Sequence, residues 1–439
     1  MRSTKQHARE IFLHTLESID IPGVMQRKLT LTRDGSRLVL PEASVDLAGA
    51  SRILIIGIGK AAHAMVTGLV GLLPAGTTFA GAVAAPTKPV VPIPGFEYFL
   101  AGHPIPNRDS WRAAEAILRF LRECDDRTLV FFLLSGGGSA LVELPLAPSM
   151  ELKDVQEVNR ALVTCGAPIE AMNTVRRHLS AIKGGRLALA AGPARKVTLA
   201  VTDVPAGKEA ALASGPSLPD PTTVADVQRI LAEYDLLDGF PLVLSEWIDA
   251  GQMPETPKPG HPAFRNAHFQ LLLGLDDLFH AAHHAVEAHG YLSCCDNSTD
   301  DWPVEKAATY LLSQLESWQR ENPGQRVAVI ADGEISCPVT GNGTGGRNSA
   351  FVLACVEKIA GRKITVLSAG TDGIDGNSPA AGAVADGETL AHARSLGLDP
   401  SNAFRDSDAY IFFSKLDDAI VTGPTGNNLR DLRLLFADL

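Results

Sequence analysis

The sequence predicts an α/β protein with a mainly parallel sheet, and three features predict it. Short apolar runs recur along the chain, each run ends in Gly, Ser, Thr or Asp, and helical patterns fill the intervals between them. In open α/β sheets ligands bind beyond the carboxyl ends of the strands. Strand ends built from small and polar residues are therefore where chemistry is expected.

Taken in order, "MRSTKQHAREIFLHTLESI" at the N-terminus reads as an amphipathic helix and not as a signal peptide. The strands are "RILIIGIG" (52–59), "LVFFLLSGGG" (129–138), "VTLAVTDVP" (197–205), "VAVIADGE" (327–334) and "ITVLSAGTDG" (364–373). Between 235 and 263 five prolines appear and periodicity fades, which predicts a first domain over 1–240, a linker region over 241–263 and a second domain over 264–439. "FQLLLGLDDLFHAAHHAVEAHGYLSCCD" reads as a helix followed by a strand that open the second domain. "GPTGNNLRDL" (423–432) reads as a Gly/Asn loop before a closing helix.

Composition bounds the function. The chain has 439 residues, 45% apolar and 20% charged, with a net charge of −11. That balance is ordinary for a globular protein and argues against general binding of nucleic acid or anionic membrane. Cys124, Cys165, Cys294, Cys295, Cys337 and Cys355 form no C-x-x-C pair and read as thiols of a cytoplasmic protein. The expected partners are small molecules, and the expected state is a monomer or homodimer.

The turns carry the chemistry. "GIGKAAHA" (57–64) has G-x-G-x-x-A spacing, but a dinucleotide site also wants an acid about 20 positions on, and the first acid after Gly57 is Glu97. Lys60 sits where a helix begins, a poor place for a cation unless it meets an anion there. Gly136, Gly137 and Gly138, flanked by Ser135 and Ser139, let the backbone lie against an anionic group with its N–H groups aimed at it. "NTVRRHLSAIKGGRLA" (173–188) is a basic run with Asn173 near its expected N-cap and Arg176 as a candidate anion contact; no acid stands between Ala171 and Thr202. "GNGTGGRNSAF" (341–351) offers Gly345, Gly346 and Asn348 as a second cradle, with Arg347 placed for phosphate oxygens. Asp372 and Asp375 follow a strand at a spacing common for metal or hydroxyl ligands. His280, His283, His284 and His289 lie at helical spacing but lack H-E-x-x-H, and read as a solvated face.

Together "GIGKAA", "GHPIPN", "LSGGGSAL", "NTVRRHLSAIKGGRLA", "TDVPAGKEAALASGPSLPDPTT", "GNGTGGRN", "SAGTDGIDG" and "TGPTGNNLRDL" resemble, in family order, the glycerate 2-kinases of the MOFRL type, whose members are often labelled hydroxypyruvate reductases. The resemblance implies two α/β domains, the first Rossmann-like and the second the smaller, with the active site in the cleft between them. It implies transfer of the γ-phosphoryl group of ATP to the 2-hydroxyl of D-glycerate. Lys60 and Arg347 become the catalytic pair, with Gly57, Gly59 and the loops above as binding residues. Mg²⁺ is then expected on Asp203, Asp372 and Asp375. The sequence departs from the family pattern at Ala206, Gly207, Lys208, Thr344, Asn427 and Arg430, which bears on the choice of hydroxy acid. A nicotinamide-dependent hydroxypyruvate reductase and a non-catalytic metabolite-binding relative are the competing readings.

Overall fold

The computed structural model describes residues 4–202, 204, 207–427 and 429–439. The chain divides into two units, Ile21–Gly274 and Met1–Asp20 with Leu275–Leu439.

In the unit Ile21–Gly274, β1 (Thr30–Leu31), β2 (Arg37–Val39) and β3 (Ser44–Asp46) make a small antiparallel sheet. The main sheet comprises β4 (Arg52–Ile58), β5 (Phe79–Ala85), β6 (Phe96–Leu100), β7 (Thr128–Leu134), β8 (Arg195–Val201) and β9 (Ala267–Leu273), in the order β6-β5-β4-β7-β8-β9. Every pairing is parallel, and the order is that of the Rossmann fold. β7 is buried along its whole length, which is why its residues read as a continuous apolar run. The helix Arg108–Arg122 shows how the covering layer is specified. Asn107 caps it, exchanging hydrogen bonds with Ser110, and Ala113, Ala114, Ile117 and Leu121 bury its inner face. A cap of this kind contributes about 1 kcal/mol.

Two expectations change here. "FQLLL" is the strand β9 rather than a helix; the helix Leu275–Ala288 begins only after Gly274. Five apolar and polar residues before a glycine suit either element, and pairing with β8 decides it. The segment 241–263 lies within the unit Ile21–Gly274, where Leu244, Trp247, Ile248 and Met253 join a core with Val158, Leu162, Val175 and Ile230.

The second unit holds β10 (Leu292–Cys295), β11 (Val327–Asp332), β12 (Ile364–Gly370), β13 (Gly382–Asp386), β14 (Ala419–Ile420) and β15 (Asp431–Ala437), in the order β10-β11-β15-β12-β13-β14. Only β10 and β11 run parallel; the other pairings are antiparallel. The chain end expected to be a helix is β15, inserted between β11 and β12 and buried at every residue. Burial on both faces erases the alternation that marks a strand. Arg433, fully buried in β15, donates to the carbonyls of Gly333 and Asp332. The N-terminal helix Thr4–Ser18 belongs to this unit: Ala8, Ile11 and Phe12 are buried, and Lys5 pairs with Asp418 at 2.6 Å. No helix among the described residues is long and apolar enough to cross a membrane.

Candidate active site

The strand order of the parallel sheet reverses between β4 and β7, so the turns after these two strands lie side by side. They interlock. Lys60 N donates to Gly136 O at 3.0 Å, and Ala61 N donates to Ser135 Oγ at 3.0 Å. Gly59 has φ +132°, and a Cβ there would fall 2.1 Å from Ser135 Oγ and 2.6 Å from Ser135 O, so only glycine fits. Gly57 lies against Val66 and Ala62, letting the helix Ala62–Leu72 sit close on the sheet.

The first turn therefore spends the N–H groups of Lys60 and Ala61 on the second, and that of Gly59 on Ala84 O. The second turn keeps its own: among the described residues the N–H groups of Gly136, Gly137, Gly138 and Ser139 have no acceptor. The Lys60 ammonium likewise has no hydrogen-bond or ion-pair partner among the described residues. A run of N–H groups without acceptors beside an unpaired ammonium can receive an anion.

Ser139 Oγ lies 2.9 Å from Ser214 Oγ, which donates to Asn173 Oδ1 at 3.2 Å. Ser214 and its neighbour Ala213 both have positive φ, 59° and 50°. Strain at consecutive non-glycine residues beside a ligand loop costs of order 1–3 kcal/mol each. Sequence reasoning missed Ser214, for which "ALASGPS" gives no local signal. It also missed His103, part of the quoted "GHPIPN". A side chain on Gly137 would come within 2.9 Å of the His103 ring and 3.5 Å of Lys60 Cγ, so all three meet. Partial burial, reinforced by the Lys60 ammonium, holds the His103 imidazole below its ordinary value and hence neutral.

The basic run behaves differently from its appearance. Asn173 lies inside the helix Ile169–Leu179, whose N-cap is Pro168. Arg177 pairs with buried Asp220 at 3.0 Å, Lys183 with Glu143, and Arg186 donates to Ser180 O at 2.9 Å. These charges are structural, with acids supplied from distant sequence. Arg176 lines a small cavity with Glu143 and Leu162. Burial lowers its pKa, opposed by Glu143. Lys208 forms an exposed pair with Glu170.

In the second unit the glycine loop before the helix Arg347–Val356 was expected to be a phosphate cradle, and its hydrogen bonds say otherwise. Gly343 N donates to Asp406 O, Thr344 N to Asp408 Oδ1, Gly345 N to Asn377 Oδ1 and Gly346 N to Ser349 Oγ. Asn348 N and Ser349 N both donate to Asp375 at 2.9 Å, and Ser349 Oγ adds a third bond at 2.6 Å. Asp375 thus occupies the anion position at the helix N-terminus. Gly346 is glycine because a Cβ would sit 2.3 Å from Asp375 Oδ1 and 2.4 Å from Gly376 N. Asn348 Oδ1 accepts from Ser368 Oγ at 2.6 Å. Burial pushes the Asp375 carboxyl up, against the pull of these three donors. Both of its oxygens are engaged in capping the helix.

Arg347 lies between two carboxylates. Nε donates to Asp431 Oδ2 at 2.5 Å and Nη1 to Glu334 Oε2 at 2.7 Å, leaving Nη2 without an acceptor among the described residues. Burial opposes its charge, but Asp431 and Glu334 outweigh that and hold the guanidinium above its ordinary value. It borders a cavity of about 830 Å³ whose lining includes Ile335, Val339, Leu353 and Phe404 together with Asp372 and Asp431. Of the three expected metal ligands, Asp203 lies outside the described residues, Asp375 is the cap, and Asp372 faces this cavity while accepting from Ile374 N at 3.0 Å. Among the described residues no three His, Cys, Asp or Glu side chains form a metal cage. Nucleotide-bound Mg²⁺ needs only one or two carboxylates beside phosphate oxygens and water, and the Asp372 and Asp431 pair fits that requirement. The departures at the last loop have structural tasks: Asn427 Nδ2 donates to Ile19 O at 2.7 Å, and Arg430 pairs with Asp300 at 2.7 Å. His283 Nδ1 lies 2.6 Å from Ser293 Oγ, and no metal group forms around the helical histidines among the described residues.

A nicotinamide site is disfavoured by the same geometry. The carboxylate that holds a ribose belongs at the end of the second strand, and β5 ends in Ala85, Pro86 and Thr87.

Comparisons with known proteins give the family. The chain matches the family model described as a domain of unknown function, DUF4147, over residues 7–249, and that of the MOFRL family over residues 327–431. It is 32% identical to the D-glycerate 2-kinase of Thermotoga maritima over 90% of this chain and 91% of that protein. It is 36% identical, over 88% of this chain and 87% of that one, to a relative from Agrobacterium vitis named as a hydroxypyruvate reductase. The crystal structure of glycerate kinase from Thermotoga maritima matches with a TM-score of 0.84 at 30% identity, covering 99% of both chains. The chain therefore belongs to the DUF4147–MOFRL family, the family of the D-glycerate 2-kinases.

Proposed function

We propose that this protein transfers the γ-phosphoryl group of ATP to the 2-hydroxyl of D-glycerate, giving 2-phosphoglycerate and ADP. The observation that carries the reading is Lys60: an ammonium without a protein partner among the described residues, beside four N–H groups in the same condition. Phosphoryl transfer asks for positioning and for neutralisation of charge on the moving group rather than covalent catalysis. Lys60 supplies one cation. Arg347, oriented by Asp431 and Glu334 with Nη2 still able to donate, supplies the second.

The loop Gly136–Ser139 receives the glycerate carboxylate. Its four N–H groups suit one compact anion, and the Ser139–Ser214–Asn173 chain braces it. The glycerate oxygen attacks the γ-phosphorus, the bond to the bridging oxygen of ADP breaks, and the neutral His103 imidazole accepts the hydroxyl proton. Asp372 and Asp431 would hold Mg²⁺, which when bound neutralises phosphate charge. The name hydroxypyruvate reductase carried by one relative finds no support in the β5 end or in the first turn.

The test is an ADP-release assay with D-glycerate, ATP and Mg²⁺, with the product position read by ³¹P and ¹³C NMR. Phosphorylation at C2 is expected. Oxidation of NADH with hydroxypyruvate, without ATP turnover, would overturn the assignment.

A further inference from the structure

The two glycine-rich regions leave open which unit takes the nucleotide. We propose that the cavity beside Arg347 seats the base and ribose of ATP, making Leu275–Leu439 the nucleotide-binding half of the chain. This rests on the kinase reading and adds to it the location of one substrate.

The Rossmann order of the parallel sheet suggests the opposite, yet its details do not support a nucleotide there. The turn after β4 commits the N–H groups of Lys60 and Ala61 to β7's turn, and β5 ends without a ribose-binding acid. What remains is the Gly136–Ser139 loop, which suits a single anionic group better than a triphosphate with its nucleoside.

The cavity in the other unit has the complementary character. At about 830 Å³ it lies within the usual 300–1,000 Å³ range of small-molecule sites. Ile335 and Leu353 are 3% exposed and give it a firm apolar floor, and half-buried Phe404 offers an aromatic surface. Val339, 82% exposed, stands at its lip. Glycerate is small and polar throughout, and would leave such a wall wet. A purine has the flat apolar faces that desolvate this wall, and stacking of a base on an aromatic ring is worth about 1–3 kcal/mol.

A cluster of charge in its lining fixes the direction of the ligand. Arg347 pairs with Asp431, and Asp431 and Asp372 both flank Gly370, which brings together a cation for phosphate oxygens and carboxylates of the kind that accompany Mg²⁺. A molecule apolar at one end and polyanionic at the other is what a nucleoside triphosphate is. The glycine loop 341–346 then has a role consistent with its internal hydrogen bonds. It is a stiff wall, pinned to 375–377 and 406–408, that shapes the cavity without touching phosphate through its own N–H groups.

Photolabelling of the full-length protein with 8-azidoadenosine triphosphate and Mg²⁺, competed with ATP and mapped by peptide mass spectrometry, tests the placement without mutation. Label within 335–340 or 400–408 is expected; label within 57–64 or 134–142, or elsewhere, overturns it. In kinetics, Phe404→Ala and Val339→Asp should each raise KM for ATP by about tenfold or more and leave KM for D-glycerate within about twofold. Val339 is exposed enough for its variant to fold. A rise confined to KM for D-glycerate, or no change in either constant, overturns the inference while leaving the kinase reading intact. Absence of ATP-dependent phosphorylation and of competed label together would sink both.

Discussion

Asp375 separates two uses of a carboxylate that look identical in sequence. If it caps the helix Arg347–Val356, Asp375→Ala strands the N–H groups of Asn348 and Ser349, both buried, while the Ser349 hydroxyl keeps the Gly346 carbonyl. Loss of a cap costs about 0.5–2 kcal/mol, and each stranded buried donor about 1–3 kcal/mol before relaxation. Partial relaxation brings the expected loss to on the order of 3–5 kcal/mol, at the severe end for a single substitution. For a folding unit of this size each kcal/mol lowers Tm by about 2–4 °C, so a fall on the order of 10 °C is expected. Differential scanning calorimetry reads that fall. A titration of kcat against Mg²⁺ on the surviving enzyme should give an unchanged half-saturation concentration. Asp372→Ala should raise the Mg²⁺ requirement. A normal Tm for Asp375→Ala combined with a raised Mg²⁺ requirement would refute the cap assignment and restore Asp375 as a metal ligand.

Three further outcomes are expected. Lys60→Ala and Arg347→Ala should each lower kcat by roughly 10²–10³ with circular dichroism unchanged, since both cations act on charge that develops during transfer; near-normal kcat for Lys60→Ala would remove the first turn from catalysis. His103→Gln should lower kcat by about 10²–10⁴ and flatten the acid limb of the pH profile. Because the imidazole is held below its ordinary value of 6.5, the wild-type limb should fall below that pH as the base protonates. Asp332 is 1% exposed, neither carboxylate oxygen has a partner among the described residues, and burial, opposed by Arg430 and Arg433, pushes its carboxyl up to about 6. The folded protein then holds this proton at pH values where the unfolded chain has released it, so stability from this group is present below about pH 4 and lost as pH rises through 6. Asp332→Asn should remove a pH-dependent loss on the order of 2 kcal/mol from the denaturation free energy measured at pH 4.5 and 7.5; equal pH dependence in both proteins would count against the buried-carboxyl account.

Much of the fold was legible because apolar runs ending in small residues specify strands whatever lies far away. β4, β7, β8, β11 and β12 follow that rule. β15 did not, since "DLRLLFA" is buried on both faces and loses its period, and its single arginine, which locally argues for a surface, finds its acceptors a hundred residues upstream at Gly333 and Asp332. The site shows the same division. Lys60 and Gly59 were legible because a lysine at a helix start and a glycine at a strand end are costly without a ligand or a close neighbour. The glycine loops were not, because "SGGGS" and "GNGTGG" advertise the same free N–H groups. What distinguishes them is Asp375, Asn377, Asp406 and Asp408, which engage the second loop and have no counterpart around the first among the described residues. The basic run over 173–188 misled for a related reason: its acids, Glu143 and Asp220, sit outside the acid-free window and meet it only in the folded chain. Local sequence reports which groups can bind an anion. Whether the protein has already supplied that anion from its own carboxylates is a tertiary property: the N–H groups of 343–346, 348 and 349 have acceptors, and those of 136–139 have none among the described residues.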